Sequence, residues 1–435
     1  MMNDVDRAVS LLSELIRIDT SNPPGNEEEA VLFLESCLKK EGLSTEIFPV
    51  APKRANLMAR LKGKSKEKPI VFLSHIDVVP AKAEDWEVPP FSGEVRDGFV
   101  YGRGAVDMKS QAVCQLLALT QLHRDGITPE RDILFLATCD EEVGGQCGVE
   151  YMLKEVDELR QASFVLSEGG CIVEENGCIH AQVSVAEKKL SQFSIEAKGT
   201  GGHGSMPHHD NANEKVLGAA NDIMSHRWPL KPTGIVTTYL NGILKGKKGK
   251  GFTYTDLCET LRNRHFQEYV ENNLVYNALL RNTVTVTILK GGEKVNVIPT
   301  ESSISFDARL LPSEDRQAFF KKIRLLAGKD VEVIPIGAER PDPRQSGYNT
   351  PYFRGIKKVM NKLMGPIPVL PFVTTGATDL RYFRELGIPA YGFFPVTLSN
   401  QELFRMHGLD ERISVRNMGE GLAGTYEILK FLAAV

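Results

Sequence analysis

Apolar residues recur at helical spacing at the start of the chain. Leu11, Leu12, Leu15, Ile16 and Ile18 make one face, and the Ser-Asn-Pro-Pro-Gly-Asn run at 21–26 ends it. Residues 27–40 predict a second helix, closed by Gly42. The period then changes. Residues 56–61, 69–74, 131–138 and 162–166 are short apolar runs bounded by polar or turn residues, and the run at 69–74 reads as a strand buried on both faces. Helices are predicted between them at 110–124, with apolar Ala112, Val113, Leu116, Leu117 and Leu119, and at 148–159. Strands alternating with helices imply an α/β fold with a mainly parallel sheet and helices on both faces. Near Glu187 the texture shifts again. Residues 190–198, 283–289 and 303–308 alternate apolar and polar positions, as strands with one wet face do. With a helix after Pro312 and a strand at 331–334, they predict a small α+β sandwich inserted into the larger domain. Within it, 208–280 reads as long and mostly helical, with a Lys-Gly tract at 245–251 that is expected to be mobile. From Tyr348 the α/β pattern resumes, through a tight loop Gly376-Ala377-Thr378-Asp379, to a closing helix at 414–432. The expected division is 1–187 with 344–435 as one discontinuous domain, and 188–343 as the insert.

Composition narrows the partners. The chain has 435 residues, 42% hydrophobic and 25% charged, with a formal net charge of -4, so no basic footprint points to nucleic acid or an anionic membrane. No apolar run is long enough to span a bilayer. The N-terminus is polar and acidic with no signal-peptide core behind it, so a cytoplasmic protein is expected. The seven cysteines are an odd number, widely spaced and without a CxxC pair, which argues against a disulfide framework or a zinc knuckle.

The chemistry gathers where apolar strands end. The strand at 69–74 runs into His75-Ile76-Asp77, and positions two apart on extended chain point the same way. The strand at 131–138 runs into Glu141-Glu142 with glycines behind, and that at 162–166 into Glu168. Asp107 opens a helix and His407 follows the last strand. In open parallel sheets, ligands bind beyond the carboxyl ends of the strands. Each residue has a plainer reading: His75 as a satisfied core histidine, Asp107 as a helix N-cap, Glu168 in a turn, His407 on a surface loop. Independent accidents would not place all of them on one rim. Adjacent carboxylates repel unless a cation sits among them. Two imidazoles with three carboxylates form a mixed N/O set that suits zinc, and cobalt or manganese less strongly. Five protein ligands exceed one catalytic zinc with an open position and fit two metals sharing a carboxylate.

The motifs Ser74-His75-Ile76-Asp77, Gly102-Arg103-Gly104-Ala105-Val106-Asp107-Met108-Lys109, Asp140-Glu141-Glu142-Val143-Gly144, Gly202-His203-Gly204-Ser205 and Met406-His407-Gly408 resemble, in order along the chain, the aminoacylase/carboxypeptidase family, metallopeptidase family 20. The resemblance implies a ferredoxin-like insert that serves as dimerisation or lid domain, and a homodimer. It implies that His75 and Glu168 hold one zinc, Glu142 and His407 the other, with Asp107 bridging and a cis peptide after it. Asp77 would orient the His75 imidazole. Glu141 would be the general base, passing a proton from the water shared by the zinc ions to the leaving nitrogen. His203, Asn296, Arg309 and Gly376 would contact the substrate or its oxyanion, His203 often from the partner subunit. Glu rather than Asp at position 168 implies acyl-amino acids or peptides with a free carboxylate. The long insert departs from the shorter members and bears on how the small domain dimerises. Two other readings stand beside a hydrolase of N-acyl amino acids or short peptides: a di- or tripeptidase, and a non-catalytic metal-dependent dimerisation protein.

Overall fold

The structure, a computed structural model, describes residues 3–175, 177–337, 342 and 344–435. The chain divides into two compact units: 1–186 with 344–372 and 378–435, and 187–343 with 373–377.

The first unit is built on a ten-stranded sheet among the described residues. Four parallel strands form its centre, in the order Ile133–Thr138, Ile70–His75, Phe164–Ser167 and Ala390–Gly392. Every residue of the first three is buried, as the unbroken apolar runs require. The flanks are antiparallel: Ser44–Ala51 and Arg54–Leu61 on one side, Cys178–Glu187 and Ile172–Glu175 on the other. These flanking strands follow one another without an intervening helix, so they pair as hairpins. On one face Leu73, Leu134, Leu136 and Val165 pack against Met152, Leu153 and Phe383. Helix Lys109–Arg124 is buried almost all round, and the helices Asp4–Arg17 and Val415–Leu432 pack with it.

The second unit carries an antiparallel sheet in the order Thr283–Lys290, Glu301–Leu310, Phe193–Lys198 and Glu332–Pro335, with Lys189–Leu190 also on Glu301–Leu310. Helices Ala212–Ser225 and Arg316–Ala327 cover one face, through Val216, Ala219, Ile223, Phe319 and Ile323. Phe193 stacks on Phe306 at a centroid distance of 4.8 Å. Strand, helix, two strands, helix, strand in this order is the split βαβ sandwich. The rest of the insert lies between its first helix and its edge strand. It contains helices Gly234–Leu244, Arg264–Glu271 and Leu274–Leu280. Within the Lys-Gly tract, Lys248–Gly249 pairs with Phe252–Thr253 as a hairpin. Gly251 at φ +80 provides the left-handed turn, and Phe252 packs on Phe266. Buried Lys188 donates to the carbonyls of Ala278 and Arg281, tying the end of this insert to the sheet.

Candidate metal centre

The ends of the parallel strands carry the chemistry. His75 is the last residue of Ile70–His75 and pairs with Thr138 at the end of the neighbouring strand. Two residues on, Asp140 turns left-handed at φ 77 and swings Glu141–Val143 into a single 3-10 turn. Asp tolerates that conformation better than most residues. Gly145 follows because a Cβ there would stand 2.3 Å from Asp379 Oδ1. Glu168 ends the third strand, and Gly392 runs so close that a Cβ would meet the Glu168 carbonyl oxygen at 1.9 Å.

One carboxylate is central. Asp107 Oδ1 lies 3.0 Å from His75 Nε2, and Asp107 Oδ2 lies 3.1 Å from His407 Nε2. His75 Nε2 is also 3.7 Å from Glu168, and His407 Nε2 is 3.3 Å from Glu142. His75, Asp107 and Glu142 each offer a donor atom within 4.8 Å of the others, as do His75, Glu141 and Glu168. Asp107 is not a helix cap, since the helix begins at Lys109 with Met108 before it and no side-chain cap bond. The peptide after Asp107 is cis. His407 sits at φ 59, a strained conformation for histidine.

Asp77, fully buried, does something other than hold the imidazole alone. His75 Nδ1 lies 3.0 Å from the main-chain carbonyl oxygen of Asp77 and 3.6 Å from its carboxylate. The carboxylate accepts the backbone N–H groups of Glu141 and Glu142, both at 3.2 Å, and the Asn22 side-chain amide at 2.9 Å. It therefore clamps the acidic turn onto the strand end beside His75.

The electrostatics are those of crowded acids. Burial and the charge of Glu168 hold Glu141 well above the usual carboxylate range. Burial and Asp107 push Glu168 up to about 7. Burial would lower His75, but Glu168 and Asp107 outweigh it and hold it well above its ordinary value. Hydrogen bonds to Asp107 and Glu142 push His407 up to about 10. Asp107 is raised by burial but pulled well below the usual range by the two imidazoles. Glu142 Oε1 is buried without a hydrogen-bond partner. Carboxylates crowded in this way call for positive charge among them. The imidazole and carboxylate donors, and an orphaned carboxylate oxygen among them, fit a pair of divalent ions.

The other candidate residues belong to the second unit. His203 is exposed on a short strand paired with Val297–Ile298, and Gly204 N–H donates to Asn296 O, so His203 and Asn296 share one corner. His203 Nδ1 lies 3.2 Å from Ser205 N and 2.7 Å from Ser205 Oγ. Arg309 Nε is bound to Asp307 at 2.9 Å, leaving the terminal nitrogens of its fork. A Cβ at Gly376 would meet nothing closer than Thr374 Cγ2 at 4.0 Å, so its backbone is open to approach.

Three residues of the first unit escaped sequence reasoning. Asp379 is buried with neither oxygen hydrogen-bonded, and burial pushes it up to about 7. Its only signal was an acid closing the Gly376–Thr378 loop. Arg103 and Glu411, discussed below, flank Asp107 and His407 in sequence but declare themselves only as a pair.

One imidazole at the end of a parallel strand and one from a loop thus approach separate oxygens of a single carboxylate, with further acids beside them, a donor set of the kind metal-dependent hydrolases use. Residues 71–430 match the model of peptidase family M20/M25/M40, and the chain belongs to that family. It is 29% identical over 392 residues to the N-fatty-acyl-amino acid synthase/hydrolase PM20D1 of Mus musculus, covering 83% of this chain and 74% of that one. It is 28% identical over 443 residues to aminoacylase-1 of Sus scrofa, covering 98% and 96%. Its fold matches the M20 metallo-carboxypeptidase Sso-CP2 of Sulfolobus solfataricus with a TM-score of 0.74 at 19% identity, over 99% of this chain and 100% of that one. The protein is thus an enzyme, a metal-dependent peptidase or amidohydrolase. Among the described residues, no helix is long and apolar enough to cross a membrane.

Proposed function

We propose that the enzyme hydrolyses the amide bond of N-acyl amino acids or short peptides with a free C-terminal carboxylate, with two zinc ions that cobalt or manganese can replace. The observation that carries this reading is the approach of His75 and His407 to separate oxygens of Asp107, at 3.0 and 3.1 Å. His75 and Glu168 would hold one ion, Glu142 and His407 the other, and Asp107 both. Bound there, the metal pair supplies Lewis acidity and a nucleophile that ionises near neutrality. Glu141 is the proton carrier. A carboxyl held above its usual range accepts a proton near neutral pH and returns it to the leaving nitrogen. Geometry alone would also let Glu141 ligate beside Glu168, and metal content of a Glu141 variant separates the two roles. Asp77 fixes the turn that carries Glu141 and Glu142. The His203 imidazole suits an oxyanion, and the planar fork of Arg309 suits a carboxylate.

The catalytic unit is 1–187 with 344–435 and the insert 188–343 dimerises, in this reading. The edge strand Thr283–Lys290 leaves Ile288 at 50% and Leu289 at 62% exposure, an unpaired apolar edge of the kind a second copy can cover. The relatives named as an N-fatty-acyl-amino acid synthase/hydrolase and an aminoacylase support the acyl-amino acid over the free dipeptide. The test is a panel of N-acetyl and N-fatty-acyl amino acids against dipeptides with free amino termini, on zinc-loaded protein. Acylated substrates should be cleaved, chelation should abolish cleavage, and zinc or cobalt should restore it. Cleavage confined to free dipeptides would make it a dipeptidase, and turnover unchanged after verified metal removal would refute the site.

A further inference from the structure

The loop that carries Asp107 and the loop that carries His407 are fastened to each other. Glu411 is fully buried and Arg103 nearly so. Glu411 Oε1 accepts the backbone N–H of Val106 at 2.8 Å and of Asp107 itself at 3.1 Å. Glu411 Oε2 accepts Gly104 N–H at 3.2 Å and Arg103 Nη1 at 2.7 Å. Arg103 closes the circuit, donating from Nη2 to the carbonyl of Gly408, next to His407, at 3.0 Å. Its guanidinium lies 5.1 Å from the centre of the Trp86 ring. Every one of these bonds ends on the backbone of the segment that carries Asp107 or His407, or on the partner in the pair.

The His407 loop needs such support. His407 and Asp410 both have left-handed backbones, at φ 59 and φ 50, and strained residues persist only where the surroundings over-determine them. Arg405 donates to the carbonyls of Leu409 and Asp410, and Asp410 accepts the N–H groups of Glu87 and Val88. Those contacts shape the loop. Strand pairing of Arg412–Ser414 with Phe99–Tyr101 brings the two segments together, and Arg103 and Glu411 carry that contact on to the backbone of Asp107, 304 residues away in sequence from Glu411.

We propose that Arg103 and Glu411 are positioning residues, a latch that sets Asp107 and His407 at the spacing at which both can ligate the same ion. The inference rests on the two-metal reading above. If the pair only stabilised the fold, its loss would lower the unfolding temperature and leave metal binding in the native protein alone. If it is a latch, its loss falls on the ion that His407 shares with Asp107, and the ion on the His75 side is retained.

The test uses the full chain, Glu411→Gln and Arg103→Lys. Gln removes the charge and puts an N–H where an acceptor is needed. Lys keeps the charge but cannot reach Glu411 and Gly408 together. Each metal-free protein is titrated with cobalt(II), following calorimetry and the visible absorption of the bound ion, with far-ultraviolet circular dichroism as the check on folding. Wild type should take up two equivalents. Both folded variants should bind the first equivalent as wild type does and the second about 10- to 100-fold more weakly, with an altered spectrum. Two wild-type equivalents with wild-type spectra in both variants would overturn the latch alone, as would a change confined to the unfolding temperature. No uptake by wild type would overturn the metal reading and the latch with it.

Discussion

At the scale of single residues, the centre is a set of acids held at different protonation states by where they sit. Glu141 is raised by burial and by Glu168, while Asp107 is lowered by two imidazoles. A raised carboxyl suits the proton-carrying role proposed for Glu141, but Glu168, proposed as a ligand, is raised as well, so position and not the shift alone separates the two roles. Glu141→Gln should retain both metals and lose about 10²- to 10⁴-fold in kcat. Near-normal turnover in that variant, or loss of one metal, would assign Glu141 a different role. The shifts also set a pH dependence. With metal chelated, Glu168 at about 7, His407 at about 10, and raised His75 and Glu141 all hold protons that the unfolded chain has released. Their contribution to the unfolding free energy then falls as pH rises, from about 4.5 upward for the glutamates and from about 6.5 upward for the imidazoles. Buried Lys109 and Lys188, pushed down to about 7, act in the opposite sense over the same range, so the His407 contribution is read as a difference: the stability of chelated wild type relative to chelated His407→Gln should fall between about pH 7 and the His407 value of about 10. A difference that rose over that range would contradict the assignment.

At the scale of elements, four buried parallel strands are the platform and the turns beyond them are the instrument. Leu136 is fully buried between strands and helices, and Leu136→Ala should cost about 2–5 kcal/mol of stability. Its ligands lie beyond the strand, so the native variant should still bind metal. Gly392→Ala should do the reverse. A Cβ 1.9 Å from the Glu168 carbonyl must push apart the strands that aim Glu168, so metal binding should weaken more than Leu136→Ala weakens it. Titrating both native variants with zinc decides this, and equal affinities would show that the Glu168 turn is not set by its neighbour strand.

At the scale of the whole molecule, much of the fold was legible because burial imposes period. Runs such as 69–74 have no polar face, and 190–198 alternates. Those two textures announce a parallel sheet and an inserted half-wet one. Ser44–Ala51 was not legible. Its burial alternates only weakly, and it becomes a strand by pairing with Arg54–Leu61. The candidate ligands could be read from strand ends and from resemblance, since each sits on a local motif. Asp379 and the Arg103–Glu411 pair could not, because what makes them notable is a partner, or the lack of one, contributed by distant chain. The position of Asp77 was half legible. Its proximity to His75 followed from strand alternation, but its grip on the Glu141 and Glu142 amides needed the left-handed turn at Asp140. The central claim is that Asp107 stands between two metal ions. Anomalous diffraction at the zinc edge, from crystals of the zinc-loaded protein, tests it most directly. Two peaks flanking the Asp107 carboxylate, one beside His75 and one beside His407, are the predicted result; a single peak, or none within reach of Asp107, would contradict it.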